Sequence, residues 1–189
     1  MQVLASLLNP AATRQTQEIW QWLEQHCGLA GIKMTPLPHF SWQGADDYNT
    51  TRVEEIVQHL TQQIAPFYVR AHGLGIFTGP SPVLFLSIVK TRQLLELHER
   101  IMSEVEPEAI RSIQHYQAEN WVPHITLAYR DVAPENLACA VKELAFRPIG
   151  FDILVDHLAL IYEIEGSIGI KFRYDFSGSA SSTRHGDRQ

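Results

Sequence analysis

The length, composition and charge of the chain exclude several classes of protein. Its 189 residues, 45% of them hydrophobic, suit one domain or two small fused lobes with a substantial core. The formal net charge of −6 disfavours a protein that grips DNA or long RNA through many Lys and Arg contacts to phosphates. No run of about 18 apolar residues occurs, so no membrane span is expected.

The two cysteines and the first residues of the chain bear on where the protein works. Cys27 and Cys139 are too few for a disulfide framework and lack Cys-x-x-Cys spacing, which favours reduced, mostly buried thiols. Residues 1–8 have no basic start and run into Asn9-Pro10, so they predict a first strand ending in a turn rather than a signal peptide. The sequence therefore predicts a cytoplasmic protein.

Strands and helices alternate in the first half of the chain. Residues 10–28 predict a helix, because apolar residues such as Ile19 and Leu23 fall at helical spacing and Gly28 can end it. The other predicted elements are a strand over 1–8, a strand over 37–43, a helix over about 49–64, and strands over 67–77 and 83–90 joined by the turn Gly79-Pro80-Ser81-Pro82.

The second half repeats this order. Its predicted elements are a helix over 94–105, a strand over 121–129, a helix over about 134–144, and strands over 150–163 and 168–176 around a Gly166-Ser167 turn. Residues 177–189 are rich in Ser and Gly, have no apolar period and predict a disordered tail.

One four-residue pattern, Pro-His-x-Ser/Thr, occurs twice. The copies are Pro38-His39-Phe40-Ser41 and Pro123-His124-Ile125-Thr126, with the histidines 85 positions apart. Because the chain holds only 10 Pro and 9 His, two copies are not expected by chance. In a strand, a His and the hydroxyl residue two positions later project from the same face. Two such strands facing one another would place two imidazoles and two hydroxyls around one cleft.

The same shift of 85 positions overlays the halves, about 37–90 and 121–176, beyond the motifs. Among the residues that coincide are Leu37 with Val122, His72 with His157, and Phe77 with Tyr162. An internal repeat of this size predicts two similar lobes related by a pseudo-twofold axis, neither of which buries its sheet alone. His39 and His124 are then expected to meet in the cleft between the lobes.

Two histidines that face a phosphate are suited to concerted acid and base catalysis. Their ordinary pKa near 6.5 lets one be neutral and the other protonated around neutral pH. One would take a proton from an attacking water while the other gives a proton to the departing oxygen. Ser41 and Thr126 would donate hydrogen bonds to the non-bridging phosphate oxygens.

Three other interpretations of these histidines stay open. The pair could be two buried strand histidines with no chemistry, although that does not explain the repetition. A metal site is the second, since Asp152 and Asp156 lie near His157, but no His-Glu-x-x-His helix or carboxylate cluster is present. A Ser-His-Asp triad is the third, and no Gly-x-Ser-x-Gly elbow supports it.

The doubled motif resembles the 2H phosphoesterases, in particular the branch of 2′-5′ RNA ligases and cyclic phosphodiesterases. The resemblance covers nearly the whole chain up to about Phe176. It includes Gly75-Ile76-Phe77-Thr78-Gly79 followed by Val83-Leu84-Phe85-Leu86, which looks like the middle hairpin of that branch. One departure is Trp42, which follows Ser41 where an aliphatic residue is more usual, and which bears on packing and pocket shape.

The resemblance implies an α+β fold in which residues 1–176 form one bilobal domain. Two antiparallel sheets flank a central cleft, the lobes exchange strands and the helices lie outside. The site implied is free of metal and cofactor, with His39 and His124 as the catalytic pair and Ser41 and Thr126 binding the phosphate.

Two further side chains are candidate substrate contacts. Tyr129 stands at a spacing that looks like a site tyrosine in some cyclic phosphodiesterases, although strand parity favours a core role. Arg130 shares the face of His124 by parity, and an exposed charge at a strand end fits it equally.

The activity implied is hydrolysis of a 2′,3′-cyclic phosphate, on a nucleotide or a short RNA end, to a 2′-phosphomonoester by a monomeric enzyme. Three alternatives remain. They are joining of RNA ends through a 2′-5′ linkage, hydrolysis of another small cyclic phosphate of the ADP-ribose type, and a non-catalytic module that binds a nucleotide or RNA end.

Overall fold

A computed structural model describes residues 1–164 and 167–179 of the chain. The predicted turn residue Gly166 and residues 180–189 of the predicted tail lie outside these ranges. Within the described part, Ser177 and Gly178 donate backbone hydrogen bonds to the carbonyls of Thr61 and Ile64. No helix of the described part is both long and apolar enough to cross a membrane.

The elements follow the predicted order, with one strand split and one short strand added. The helices are α1 (Pro10–Cys27), α2 (Thr50–Thr61), α3 (Arg92–Glu104) and α4 (Pro134–Leu144). The strands are β1 (Gln2–Leu7), β2 (His39–Tyr48), β3 (Phe67–Phe77), β4 (Val83–Ile88), β5 (Ala109–Ser112), β6 (His124–Ala128), β7 (Gly150–Val155), β8 (His157–Ile164) and β9 (Ser167–Asp175).

The strands form two antiparallel sheets, each with strands from both halves of the chain. The first has the order β5-β2-β1-β8-β9 and the second β6-β4-β3-β7. The two motif strands lie in different sheets, where β2 pairs with β1 and β6 pairs with β4. The predicted α+β class with two antiparallel sheets is confirmed.

The single strand predicted over 150–163 is in fact two strands. β7 pairs with β3 in the second sheet, whereas β8 pairs with β1 and β9 in the first. The chain crosses between the sheets at Asp156, the one residue between them. No Gly or Pro marks the crossing, so the strand-like pattern of the sequence continues through it and predicts one strand.

α1, α2 and α3 pack against the sheets and α4 packs on α1, which closes the core. α1 buries Ala12, Thr16, Trp20 and Leu23. The helix ends where predicted, because Gly28 adopts φ 71° and its N–H bonds the carbonyl of Glu24. The largest buried cluster joins both sheets and the helices, which fixes the two motif strands relative to each other.

The prediction of two reduced cysteines is wrong. Cys27 at the end of α1 and Cys139 in α4 are joined by a disulfide across 112 positions of sequence. α1 and α4 pack side by side in the fold, which brings the two thiols together. Because that contact is tertiary, the spacing of the cysteines along the chain gives no sign of it.

Candidate active site

The two motif histidines occupy equivalent positions at the starts of β2 and β6. His39 stands opposite Leu7 of β1, and His124 opposite Ser87 of β4. In each ring Nδ1 donates to the carbonyl two residues earlier, at 2.6 Å, that of Leu37 for His39 and that of Val122 for His124. This bond places the proton of the neutral ring on Nδ1 and leaves Nε2 without one.

Burial lowers the pKa of both imidazoles. For His39 the loss of hydration is the larger effect and outweighs its hydrogen bond to Leu37, which favours the charged ring. For His124 burial again dominates, and a positive charge on His39 would lower its pKa further. Two such rings hold one shared proton below neutral pH in the free protein, and a bound phosphate anion, which favours the charged ring, would extend that state of one acid and one base toward neutral pH.

A β-bulge follows each motif hydroxyl. In the first sheet Ala5 faces Ser41 and Leu4 faces Gln43, so Trp42 is the extra residue. In the second sheet the extra residue is Leu127, which directly follows Thr126. A bulge interrupts the ladder and re-aims the side chains beside it. The side chains of Ser41 and Thr126 therefore each lie next to a bulge at the equivalent position of their strand.

Each hydroxyl residue is also bonded by a tryptophan. Trp121 Nε1 donates to the carbonyl of Ser41 and Trp20 Nε1 to the carbonyl of Thr126, both at 3.0 Å. Tyr116 lines the same cleft, and burial raises its pKa, so that the phenol stays protonated. The sequence patterns did not single out these three aromatic residues.

All four motif side chains line one cleft of about 770 Å³ between the sheets, within the range typical of small-molecule sites. The titratable groups along its wall are His39, His115, His124, Glu163 and three tyrosines. Among the described residues that line the cleft, none is a lysine or an arginine.

The walls beside the two histidines differ. The ring of His124 packs against Phe77 and Phe85, with centroids 4.9 and 5.0 Å away. The residues paired with the two motif hydroxyl residues also differ. Ser41 pairs with Ala5 in the first sheet, whereas Thr126 pairs with Phe85 in the second. Phe77 stacks on Phe85 with centroids 4.2 Å apart, is 36% exposed and lines the cleft next to His124.

The structure separates the two candidate substrate contacts. Tyr129 is 36% exposed and lines the cleft, so the core role that strand parity favoured is wrong. β6 ends at Ala128, so parity does not extend to Arg130, which adopts φ 77° and forms an ion pair with Glu163 at 2.8 Å. Arg130 thus neutralises an acid of the cleft wall rather than lining the cleft itself.

The histidines of the repeat outside the motifs do not line the cleft. His72 is exposed on β3, whereas His157 is 2% exposed and accepts a hydrogen bond at Nε2 from the N–H of Leu7. Its Nδ1 lies 2.6 Å from a carboxylate oxygen of Asp156. No group of three or more His, Cys, Asp and Glu that could hold a metal ion occurs in residues 1–164 and 167–179.

A buried histidine supports the site from behind. His98 is 2% exposed, stacks on Trp121 with centroids 3.8 Å apart, and donates from Nε2 to the carbonyl of Tyr116 at 3.0 Å. Burial lowers the pKa of His98 to about 4, with a smaller contribution from the charge of Lys90.

We expect His98 to make stability depend on pH. The unfolded chain binds a proton at this ring near pH 6.5, and the folded chain only near pH 4. The free energy of unfolding is therefore highest above about pH 6.5 and decreases as pH falls toward 4. Replacing His98 by Gln should flatten that part of the profile, as measured by urea unfolding at several pH values. An unchanged slope would show that His98 titrates normally in the fold.

Two histidine and hydroxyl motifs on opposed antiparallel sheets define a fold of the 2H phosphoesterase class. The sequence agrees with this class, because residues 9–166 match the family model of the 2′-5′ RNA ligase superfamily. The chain belongs to this superfamily.

Similar proteins share the fold at low sequence identity. TT0787 of Thermus thermophilus superposes with a TM-score of 0.69 and 22% identity, over 95% of this chain and 99% of that one. LigT of E. coli in complex with 3′-AMP gives a TM-score of 0.64 and 16% identity, over 93% and 97%. A Bacillus licheniformis protein with the provisional name phosphoesterase is 19% identical over 131 residues, 68% of this chain and 73% of its own length.

Proposed function

We propose that the cleft hydrolyses the 2′,3′-cyclic phosphate of a nucleotide or a short RNA end to a 2′-phosphomonoester. The observation that carries this proposal is the matched pair of imidazoles, His39 and His124, each tied through Nδ1 so that Nε2 is free. Superfamily members are phosphoesterases, and this pair is equipped to move two protons in such a reaction.

The proton transfers follow from this geometry. One neutral imidazole removes a proton from water as the water oxygen bonds to phosphorus. The protonated partner gives its proton to the 3′ oxygen as the bond from phosphorus to that oxygen breaks. Ser41 and Thr126 donate to the non-bridging oxygens, where negative charge increases in the transition state.

The cleft wall supports a small substrate of low charge. A cyclic phosphodiester carries a single negative charge, which two hydroxyls and one imidazolium can balance. No Lys or Arg of the described chain lines the cleft to hold further phosphates, and the nearby Arg130 is already paired with Glu163. The exposed part of the Phe77 ring is suited to contact with a base. LigT in complex with 3′-AMP or NADP⁺ supports a nucleotide as the ligand of this fold.

We expect activity without a metal ion. Proton transfer by the two histidines needs no Lewis acid, so turnover of 2′,3′-cyclic AMP should survive exhaustive EDTA treatment and gain nothing from Mg²⁺, Mn²⁺ or Zn²⁺. Loss on chelation that one divalent ion restores would contradict the two-histidine mechanism.

The pH dependence of kcat/KM should be bell-shaped and displaced to low pH. Burial lowers the pKa of both imidazoles in the free enzyme, so both limbs of the kcat/KM profile should fall at lower pH than an ordinary histidine near 6.5 would give. A bound phosphate anion favours the charged ring, so the kcat profile should lie at higher pH than that of kcat/KM. Coinciding flat profiles between pH 5 and 8 would reject the assignment.

A substrate panel tests the proposal as a whole. We expect turnover of nucleoside 2′,3′-cyclic phosphates and of a dinucleotide with that end, by a protein that elutes as a monomer. Turnover confined to an ADP-ribose cyclic phosphate would show that the substrate is not a nucleoside cyclic phosphate. Joining of RNA ends through a 2′-5′ linkage without hydrolysis would show that the protein is a ligase. Nucleotide binding with no turnover of any member would reduce the protein to a binding module.

A further inference from the structure

The carbonyl groups of the two motif hydroxyl residues have unusual partners. Each lies at a β-bulge, where the ladder is interrupted, and each accepts a hydrogen bond from a buried indole. β6 is an edge strand, and β5 pairs with β2 only from Ala45 onward. The indoles therefore hold the backbone of the two residues where the sheets do not.

The two indoles are not products of the internal repeat. Trp20 and Trp121 are 101 positions apart, whereas the motifs are 85 apart. A shift of 85 pairs Trp20 with Val105 and Trp121 with Pro36, neither of which has a side-chain donor. The same contact has therefore been reached twice from unrelated positions, which indicates that the site requires it at both hydroxyls.

Each indole also crosses between the halves of the chain. Trp20 belongs to α1 in the first half and bonds β6, while Trp121 precedes β6 and bonds β2 of the first half. Both side chains are buried, at 7% and 2% exposure. Trp121 stacks with the rings of His98 and Trp42, with centroids 3.8 and 5.6 Å away.

We propose that Trp20 and Trp121 are positioning residues that set the angle at which the hydroxyls of Thr126 and Ser41 meet the phosphate. The inference rests on the proposed function, because it assigns the two indoles to that reaction. A carbonyl and a side chain of one residue share a Cα, so moving the peptide plane moves the hydroxyl. Misplacing a charge-stabilising donor is costly because its value depends on prior alignment.

Replacing the indole by benzothienylalanine removes the N–H while keeping the shape of the ring. At Trp20 or Trp121 we expect kcat for 2′,3′-cyclic AMP to fall about 5- to 30-fold, with a smaller change in KM. Trp22 is the matched control, since it lies on the same helix and stacks on His26. There the same replacement should leave kcat within about twofold. Full kcat in both test variants, or a loss explained by the unfolded fraction alone, would overturn the inference.

A titration of the unaltered protein decides the matter where a variant does not fold. Inorganic phosphate should shift the indole ¹H–¹⁵N resonances of Trp20 and Trp121 with the same apparent Kd as the ring resonances of His39 and His124, and leave Trp22 unchanged. Imidazole shifts without those indole shifts would overturn the inference while preserving the proposed function. If the protein neither binds phosphate nor turns over any cyclic nucleotide, the proposed function itself fails.

Discussion

Replacing His39 or His124 by Ala should lower kcat for a 2′,3′-cyclic nucleotide by about 10²-fold or more. Each replacement removes either the base for the water or the acid for the leaving oxygen, and steady-state kinetics measures the loss. The double variant should be little worse than either single one, because the two rings act as a unit. The fold should persist, since both rings are only partly buried at strand starts.

His72→Ala is the matched control for this experiment. His72 is exposed on β3 and lies outside the cleft lining, so its loss should leave kcat unchanged. Circular dichroism and thermal unfolding of each variant separate lost chemistry from lost structure. Turnover near that of the unaltered protein in either cleft variant would remove that histidine from the reaction.

Removing one motif hydroxyl should lower the rate about 10- to 10³-fold, since one donor to the developing charge is lost. The variants are Ser41→Ala and Thr126→Val, with the larger loss expected in kcat/KM. Exchange of the hydroxyl type, by Ser41→Thr and Thr126→Ser, should retain much more activity because the donor remains.

Ser103→Ala controls for the loss of a hydroxyl elsewhere, because Ser103 is exposed on α3. Its kinetics should match those of the unaltered protein. If Ser41→Ala and Thr126→Val are likewise unchanged, neither hydroxyl holds the phosphate, and the donors must be sought among the other cleft groups such as Tyr116 and Tyr129.

The sequence was sufficient to predict the features that depend on local pattern and on the internal repeat. Helical spacing and turn residues predicted α4 and β3 with the bounds that the structure shows, and the repeated motif predicted a shared cleft for His39 and His124. These features depend on residues that are close in sequence or identical in both halves. Their roles in catalysis stay predictions.

What the sequence did not reveal depends on tertiary contact. The link between Cys27 and Cys139 and the bond from Trp20 to Thr126 each join positions more than 100 residues apart. Residues 44–48, with Gly44 and two aspartates, are poor strand formers, yet they extend β2 because β1 and β5 flank them. Gly44 also gives space to the ring of Tyr116, since a Cβ there would lie 2.6 Å from it.

Phosphorus NMR of the reaction mixture follows both the loss of the cyclic phosphate and the phosphomonoester that replaces it. With 2′,3′-cyclic AMP, EDTA and the unaltered protein, the resonance of the cyclic phosphate should disappear and that of adenosine 2′-phosphate should replace it. His39→Ala and His124→Ala should leave the cyclic resonance in place over the same time. A persistent cyclic resonance with the unaltered protein, or equal conversion by the histidine variants, would contradict the account.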